Sequence, residues 1–114
     1  MRLAIFGASG HGKVVADAAD SSGWQEIVFY DDAWPDIRRN GPWPVVGDTV
    51  ALTECIPDFD GVVVAIGHNR VRQAKQRELA ASGARLVSII HPSAAVSRYA
   101  LVGEGSVVFA NAAI

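Results

Sequence analysis

The sequence predicts an α/β protein, in which a small doubly wound parallel sheet is followed by the first coil of a left-handed hexapeptide-repeat β-helix. Short apolar runs alternate with helical patterns along most of the chain, and each crossover between parallel strands must lie over a face of the sheet. The last part of the chain instead has a period of six, which neither a helix nor a flat strand shows. Aliphatic residues stand at Ile90, Val96, Val102, Val108 and Ile114, and small ones at Ala94, Ala100, Ser106 and Ala112.

The first strand and helix are recognisable from the glycines between them. Arg2–Phe6 is a short apolar run that ends in glycine, which is typical of a buried strand. A glycine-rich turn, Gly7–Gly12, follows it. The pattern then predicts a helix over about 10–22, and Gly23 is placed to end it. Because a helix on a sheet buries one face, we expect an apolar stripe of Val14, Val15, Ala18 and Ala19.

The second strand, Glu26–Tyr30, leads into a segment rich in turn residues. Residues 33–47 contain several prolines, glycines and tryptophans. This composition predicts a surface excursion with a brief extended piece at Val45–Val46. Asp48 can then cap a short helix that runs to about Cys55.

The clearest strand of the chain is Gly61–Ile66, which is apolar throughout and therefore buried on both faces. Asn69 can cap a helix that continues to Ala81, with Gly83 as its stop. Arg85–Ile90 is predicted as the last strand before the sixfold pattern begins.

These elements divide the chain into a Rossmann-like domain, residues 1–88, and the start of the β-helix, residues 89–114, which are expected to pack directly together. A coil of this kind takes about three hexapeptides, so the tail makes little more than one coil. Roughly three or more stacked repeats are needed for stability. We therefore expect either a piece of a longer protein or a coil that packs on a second copy, because Val102, Val108 and Ile114 would otherwise be exposed.

Composition excludes several classes of partner. The net charge of −2 over 114 residues gives no reason to expect nucleic acid or an acidic membrane. No apolar run is long enough for a membrane span, and the start does not resemble a signal peptide, so we expect a cytoplasmic protein. The single Cys55 provides neither a disulfide framework nor a Cys-rich metal site. A basic stretch fits a solvated helix face as well as an anion site: Arg70, Arg72, Lys75 and Arg77.

The glycine turn lies between a strand and a helix, the context in which such turns bind phosphate. Glycines let a ligand approach the backbone, and the helix start offers free N–H groups with a partial positive charge. The spacing is G-x-x-G-x-G rather than the G-x-G-x-x-G of the common dinucleotide fingerprint, which weakens the case for NAD. The alternative is a merely tight strand–helix turn.

Polar residues near this turn are candidates for ligand contacts. Asp31 and Asp32 end the second strand at the carboxyl edge of the sheet, where open α/β folds bind ligands. They could accept hydrogen bonds from ribose hydroxyls or a base N–H, or be solvated turn acids. Gly67 either leaves room for a nucleotide or eases a bend. His11 could donate to a phosphate or be a loop histidine, while weaker candidates are His68 and His91, the latter expected in a structural turn.

Four stretches in this order, GASGHGKVV, FYDD, AIGHNRVR and IIHPSAAVS, resemble the bacterial sugar O-acyltransferase family. That family includes sialic-acid O-acetyltransferases and UDP-4-amino-sugar N-acetyltransferases of the PglD type. The resemblance covers essentially the whole chain. It implies that the Rossmann-like domain binds the nucleotide half of a UDP-linked sugar through Ser9, Gly10, His11, Asp31, Asp32 and Gly67, with Arg72 near the pyrophosphate.

The same resemblance implies an acetyltransferase whose β-helix trimerises and binds acetyl-CoA between neighbouring coils. A histidine on a later coil would act as general base, which is expected beyond Ile114, so these residues alone should be inactive. Two alternatives remain open. One is a fragment of an NAD(P)-binding oxidoreductase, which would explain the glycine turn but not the sixfold tail. The other is a non-catalytic module that binds a nucleotide sugar.

Overall fold

The computed structural model describes residues 1–87, 89, 90, 107 and 108. Its main sheet has the strand order β3-β4-β2-β1-β5. All neighbouring strands in it are parallel except β3 and β4, which form an antiparallel hairpin. The strands are β1 (Arg2–Phe6), β2 (Glu26–Tyr30), β3 (Arg39–Asn40), β4 (Trp43–Gly47) and β5 (Gly61–Val64).

Helices cover both faces of this sheet, which confirms the predicted α/β architecture. They are α1 (Gly10–Ser21), α2 (Thr49–Cys55) and α3 (Asn69–Ala81), and a 3₁₀ turn at Ile56–Asp58 follows α2. The α1 helix packs on one face, while Leu52 of α2 and Leu79 of α3 lie in the core of the other. Because both faces are covered, the central strands are apolar along nearly their whole length.

The buried stripe of α1 differs from the prediction at one position. Val14 is 51% exposed, whereas Ala16, which was not predicted, is fully buried beside Val15 and Ala19. The reason is the close approach of α1 to the sheet, since a Cβ on Gly12 would lie 2.1 Å from the Gly7 carbonyl oxygen. This close approach leaves room for the small side chain of an alanine on the face of α1 that packs against the sheet.

The predicted extended piece at Val45–Val46 is confirmed as part of β4, but the prediction that this part of residues 33–47 lies in a surface excursion is wrong. The β4 strand pairs in parallel with β2 through Phe29 and Val45, and Val45 is buried in the core. The ring of Trp43 also meets that of Phe29, with centroids 6.4 Å apart. Proline and glycine here mark the turn of the β3–β4 hairpin, but the pairing with β2 is a long-range contact that local composition does not report.

The predicted strand Arg85–Ile90 is not continuous. Leu86 makes an isolated parallel bridge to Val62 of β5. Farther on, β6 (Ile89–Ile90) pairs in parallel with β7 (Val107–Val108) in a separate two-stranded sheet. Ile89 is buried in the α1 core. The predicted coil otherwise falls outside the described residues.

Candidate functional site

Three loops leave the carboxyl edge of the sheet side by side. Phe6 at the end of β1 pairs with Tyr30 at the end of β2 and with Val64 at the end of β5. The glycine turn, the acidic pair and Gly67 therefore follow three adjacent strands. Crossovers on opposite faces meet between β1 and β5, which is where open α/β sheets form a ligand crevice.

The three glycines of the turn have different roles. Gly7 has φ +113°, and a Cβ on it would lie 2.6 Å from the Ala65 carbonyl oxygen. Gly12 is packed just as tightly, against the Gly7 carbonyl and Phe29. A Cβ on Gly10, by contrast, would meet nothing within 4 Å. Packing thus accounts for Gly7 and Gly12, whereas the space over Gly10 is open to a ligand.

The start of α1 presents its first N–H groups at this opening. Ser9 is the N-cap and its side chain makes no capping hydrogen bond. Its carbonyl oxygen accepts from Lys13 N at 3.0 Å and from Asn40 Nδ2 at 2.9 Å. Gly10 is exposed and His11 is half-buried at the first two helical positions. The first backbone N–H groups of a helix have no partner within it, so they can bind an anion.

Asp31 connects the end of β2 to the glycine turn. Its Oδ2 accepts from Ala8 N at 2.8 Å, and its Oδ1 accepts from Ala33 N at 2.9 Å. Both carboxylate oxygens are therefore engaged with backbone N–H groups. Asp31 is thus more than a solvated turn acid, since it fixes the position of the turn beside β2.

Asp32 points to different partners. Its Oδ1 accepts from Thr49 N at 2.9 Å and from Thr49 Oγ1 at 2.7 Å, and its Oδ2 lies 3.9 Å from Lys75 Nζ. Partial burial raises the pKa of Asp32, but the Thr49 hydrogen bonds and the Lys75 charge outweigh it, and the net pKa is lowered. The side chain is still 62% exposed, so an ionised carboxylate faces the solvent at the carboxyl edge.

The residues after β5 are arranged less tightly. Gly67 is exposed, its φ is not positive and a Cβ on it would meet nothing within 4 Å, so the bend does not require glycine. Arg72 donates from Nη2 to Asn69 Oδ1 at 2.7 Å, within α3. His68, and not the predicted Asn69, is the N-cap of α3, and its Nδ1 accepts from Val71 N at 3.4 Å. His91 lies outside the described residues.

Away from this edge, a groove of about 360 Å³ lies between α3 and the segment beside β5. None of the predicted site residues lines it. In residues 1–87 and the two short described strands, no helix could cross a membrane. The same residues hold no cluster of three or more His, Cys, Asp or Glu side chains suited to a metal ion. The groove is lined by Gln73, Gln76, Arg77, Ala80 and Leu86.

The sequence of the chain matches a known family. The PglD N-terminal domain family covers residues 2–79. The chain belongs to this family. A UDP-N-acetylbacillosamine N-acetyltransferase from Bacillus subtilis is 34% identical over 112 residues, which are 95% of this chain and 51% of that protein.

Solved structures give the same relationship. The acetyltransferase domain of PglB from Neisseria gonorrhoeae, in complex with acetyl coenzyme A, is 43% identical with a TM-score of 0.89 and covers 98% of this chain and 54% of that one. PerB from Caulobacter crescentus, in complex with CoA and GDP-perosamine, is 36% identical with a TM-score of 0.90, covering 100% of this chain and 54% of that one. The chain therefore spans about half the length of these relatives.

Sequence reasoning missed Thr49, Lys75 and Asn40, which hold the predicted site residues in place. Lys75 was part of the basic stretch that fitted a solvated helix face equally well, yet its side chain is only 15% exposed. One signal was available, because Lys75 precedes the buried Leu79 by one helical turn and so shares its inward face. No local signal connects Asn40 with the glycine turn.

Proposed function

We propose that this chain supplies the nucleotide-sugar-binding part of an acetyl-CoA-dependent sugar acetyltransferase, which transfers acetyl to an amino or hydroxyl group of a UDP-linked sugar. The observation that carries the proposal is the open space over Gly10 at the start of α1, next to the loop that begins with Asp31. Membership of the PglD N-terminal domain family supports it, as do relatives that are named as sugar N-acetyltransferases.

In the proposed complex, the pyrophosphate lies at the start of α1. The N–H groups of Gly10 and His11 and the Ser9 hydroxyl donate to its oxygens, and the helix start favours its negative charge. Arg72 reaches the same anion from α3. To do so, its guanidinium exchanges the hydrogen bond to Asn69 for one to the pyrophosphate. The exposed carboxylate of Asp32 accepts from the nucleoside, while Asp31 holds the turn and Gly67 leaves space for the ligand.

The relatives differ in the nucleotide that carries the sugar. The Bacillus subtilis relative is named for a UDP-linked sugar, and PerB was solved with GDP-perosamine. Uracil and guanine both offer a ring N–H to an acceptor such as Asp32, so the carboxylate does not discriminate between them. We keep UDP as the proposed carrier, and a direct comparison of UDP with GDP tests it.

The domain division at residues 88 and 89 and the left-handed β-helix are part of the same proposal. Val107 pairs in parallel with Ile89, eighteen positions earlier. That separation equals three hexapeptides, as expected if one turn of a triangular coil brings the chain back beside its start. The coils would form a trimer and hold acetyl-CoA, with a histidine on a later coil as general base. We propose that the full protein acts in the cytoplasm.

Isothermal titration calorimetry of the 114-residue chain with UDP, GDP and NADH tests the binding part. If UDP is the carrier, UDP should bind saturably and more tightly than GDP, and NADH should not bind. Gly67→Ala and Gly10→Ala should leave the fold intact, since neither Cβ meets another atom, yet weaken UDP binding about tenfold or more by filling the ligand space. Tight NADH binding would favour the oxidoreductase instead, and no nucleotide binding at millimolar concentration would contradict both.

The catalytic part is tested with the full-length protein. Residues 1–114 alone should transfer no measurable acetyl group, while the full-length protein should acetylate an amino or hydroxyl sugar on its nucleotide carrier, measured by release of free CoA thiol. A full-length protein that binds nucleotide sugar without transferring acetyl from acetyl-CoA would support the non-catalytic module.

A further inference from the structure

The ammonium group of Lys75 is held at the carboxyl edge by partners from three elements. Its Nζ donates to Thr49 Oγ1 at 3.0 Å and to Glu78 Oε2 at 2.9 Å. It also lies 4.7 Å from the centre of the Phe6 ring, at the end of β1. Because the Lys75 side chain is mostly buried, forming these contacts costs little further conformational entropy, and salt screens the charge only weakly.

Thr49 links this ammonium to the acidic pair. Its hydroxyl accepts from Lys75 and donates its own hydrogen to Asp32 Oδ1, 2.7 Å away. The backbone N–H of Thr49 donates to the same oxygen at 2.9 Å. Two donors on one oxygen fix the rotation of the carboxylate.

The second oxygen of Asp32 remains available. Lys75 Nζ is 3.9 Å from Oδ2, which is beyond hydrogen-bond distance but close enough for the charge to favour the ionised form. Asp31 differs here, because both of its oxygens are engaged with backbone N–H groups. The two adjacent aspartates thus have different environments, and Asp32 has an oriented oxygen for a ligand donor.

We propose that Lys75, acting through Thr49, is the positioning residue that keeps the Asp32 carboxylate oriented to accept a hydrogen bond from the nucleoside of the bound nucleotide sugar. This inference rests on the proposed function and assigns a role in it to a residue of the basic stretch. The ligand chemistry is a nucleoside N–H or a ribose hydroxyl, both of which are donors.

Three variants distinguish this positioning role from a general effect of losing a positive charge on α3. Lys75→Met removes the charge and keeps the length of the side chain, whereas Lys75→Arg keeps the charge. Arg77→Met is the matched control, because Arg77 is an exposed basic residue of the same helix and lines the groove away from the carboxyl edge. Each is compared with the wild type in affinity for UDP and GDP by calorimetry, in thermal unfolding, and in the pKa of Asp32 by carbon-detected NMR titration.

We expect Lys75→Met to weaken nucleotide binding about tenfold, as for loss of a charge-assisted contact, and to raise the pKa of Asp32 toward its usual value. The other charged groups of this cluster are Glu78 and Asp31, which are both acidic and would act in the same direction once the ammonium is gone. Lys75→Arg should restore most of the affinity, and Arg77→Met should change neither quantity.

The possible failures are distinguishable. A wild type that binds neither nucleotide overturns the proposed function and this inference with it. Wild-type binding together with an unchanged affinity in folded Lys75→Met overturns this inference alone. A lowered melting temperature with unchanged affinity would assign Lys75 to stability only. If Lys75→Met does not fold, Thr49→Val removes the hydroxyl that links Lys75 to Asp32 and leaves the Lys75 charge in place. Unchanged affinity in that variant is equally decisive.

Discussion

Gly12→Ala is the substitution whose effect can be worked out most directly from the structure. The new Cβ would lie 2.1 Å from the Gly7 carbonyl oxygen and 3.0 Å from Phe29 Cε1. An ordinary contact between such atoms needs about 3.4 Å, so the start of α1 would have to move by about 1 Å. Neither neighbour can yield, because one is backbone and the other is a buried ring.

That displacement lifts α1 from the sheet and loosens the packing of Val15 and Ala19 in the core. Overpacking of a core usually costs 1–3 kcal/mol, and a clash with backbone should reach at least about 3 kcal/mol. For a domain of this size each kcal/mol lowers the melting temperature by roughly 4–8 °C, so we expect a decrease of about 12 °C or more. Thermal unfolding followed by circular dichroism measures it.

Gly10→Ala is the matched control within the same turn. Its Cβ meets nothing within 4 Å and alanine favours the helix, so stability should be unchanged or rise by up to about 1 kcal/mol. The reasoning is refuted if Gly12→Ala melts within about 3 °C of the wild type, less than the shift for 1 kcal/mol. It is equally refuted if Gly10→Ala is as unstable as Gly12→Ala.

Three further predictions concern titration and capping. Burial and the neighbouring Cys55 raise the pKa of Tyr30 to about 12, so the stability that Tyr30 contributes is full below its unfolded pKa of about 10 and is lost as the pH rises toward 12. Tyrosinate absorbance should show this late titration, and Tyr30→Phe should abolish it; a Tyr30 that titrates near 10 would contradict the prediction. Because the pKa of Asp32 is lower in the folded protein, its ionised carboxylate stabilises the fold at pH values above its unfolded pKa of about 3.9. This contribution is lost as the pH falls through the lower folded pKa. Asp32→Asn should flatten the acid side of a stability-against-pH curve by less than about 1 kcal/mol because the group is exposed, and an unchanged curve would count against the Thr49 and Lys75 interactions. Asp48→Ala removes the cap of α2 and should cost about 1 kcal/mol in chemical denaturation, whereas the exposed Asp17→Ala should cost nothing measurable; equal effects would argue against the cap.

Local signals in the sequence placed most elements correctly. The bounds of β1 and β2 agree with the predicted Arg2–Phe6 and Glu26–Tyr30, because apolar runs that end at glycine or aspartate leave little freedom in register. The helix stops were also confirmed, since Gly23 and Gly83 have φ values of +96° and +94° just after α1 and α3. These features depend on backbone conformations that a few neighbouring residues determine.

The sequence predicted the candidate site only in part. The sequence placed the glycine turn and both aspartates at one edge, because parallel strands end together. It could not tell that Gly10 borders open space while Gly12 is packed against backbone, since both occur in one motif.

By itself, the sequence determined the positions of β1, β2, β5 and the three helices, the glycine-rich turn and, through four motifs, the family. Only the tertiary structure decided that β4 joins the sheet, that Asp31 holds the turn and that Lys75 lies beside Asp32. The physical reason is that these features are contacts between residues 16 to 43 positions apart in the chain. Which partner a strand or an ammonium group meets at that range depends on how the elements pack, and the local pattern of residues is the same whichever partner it meets.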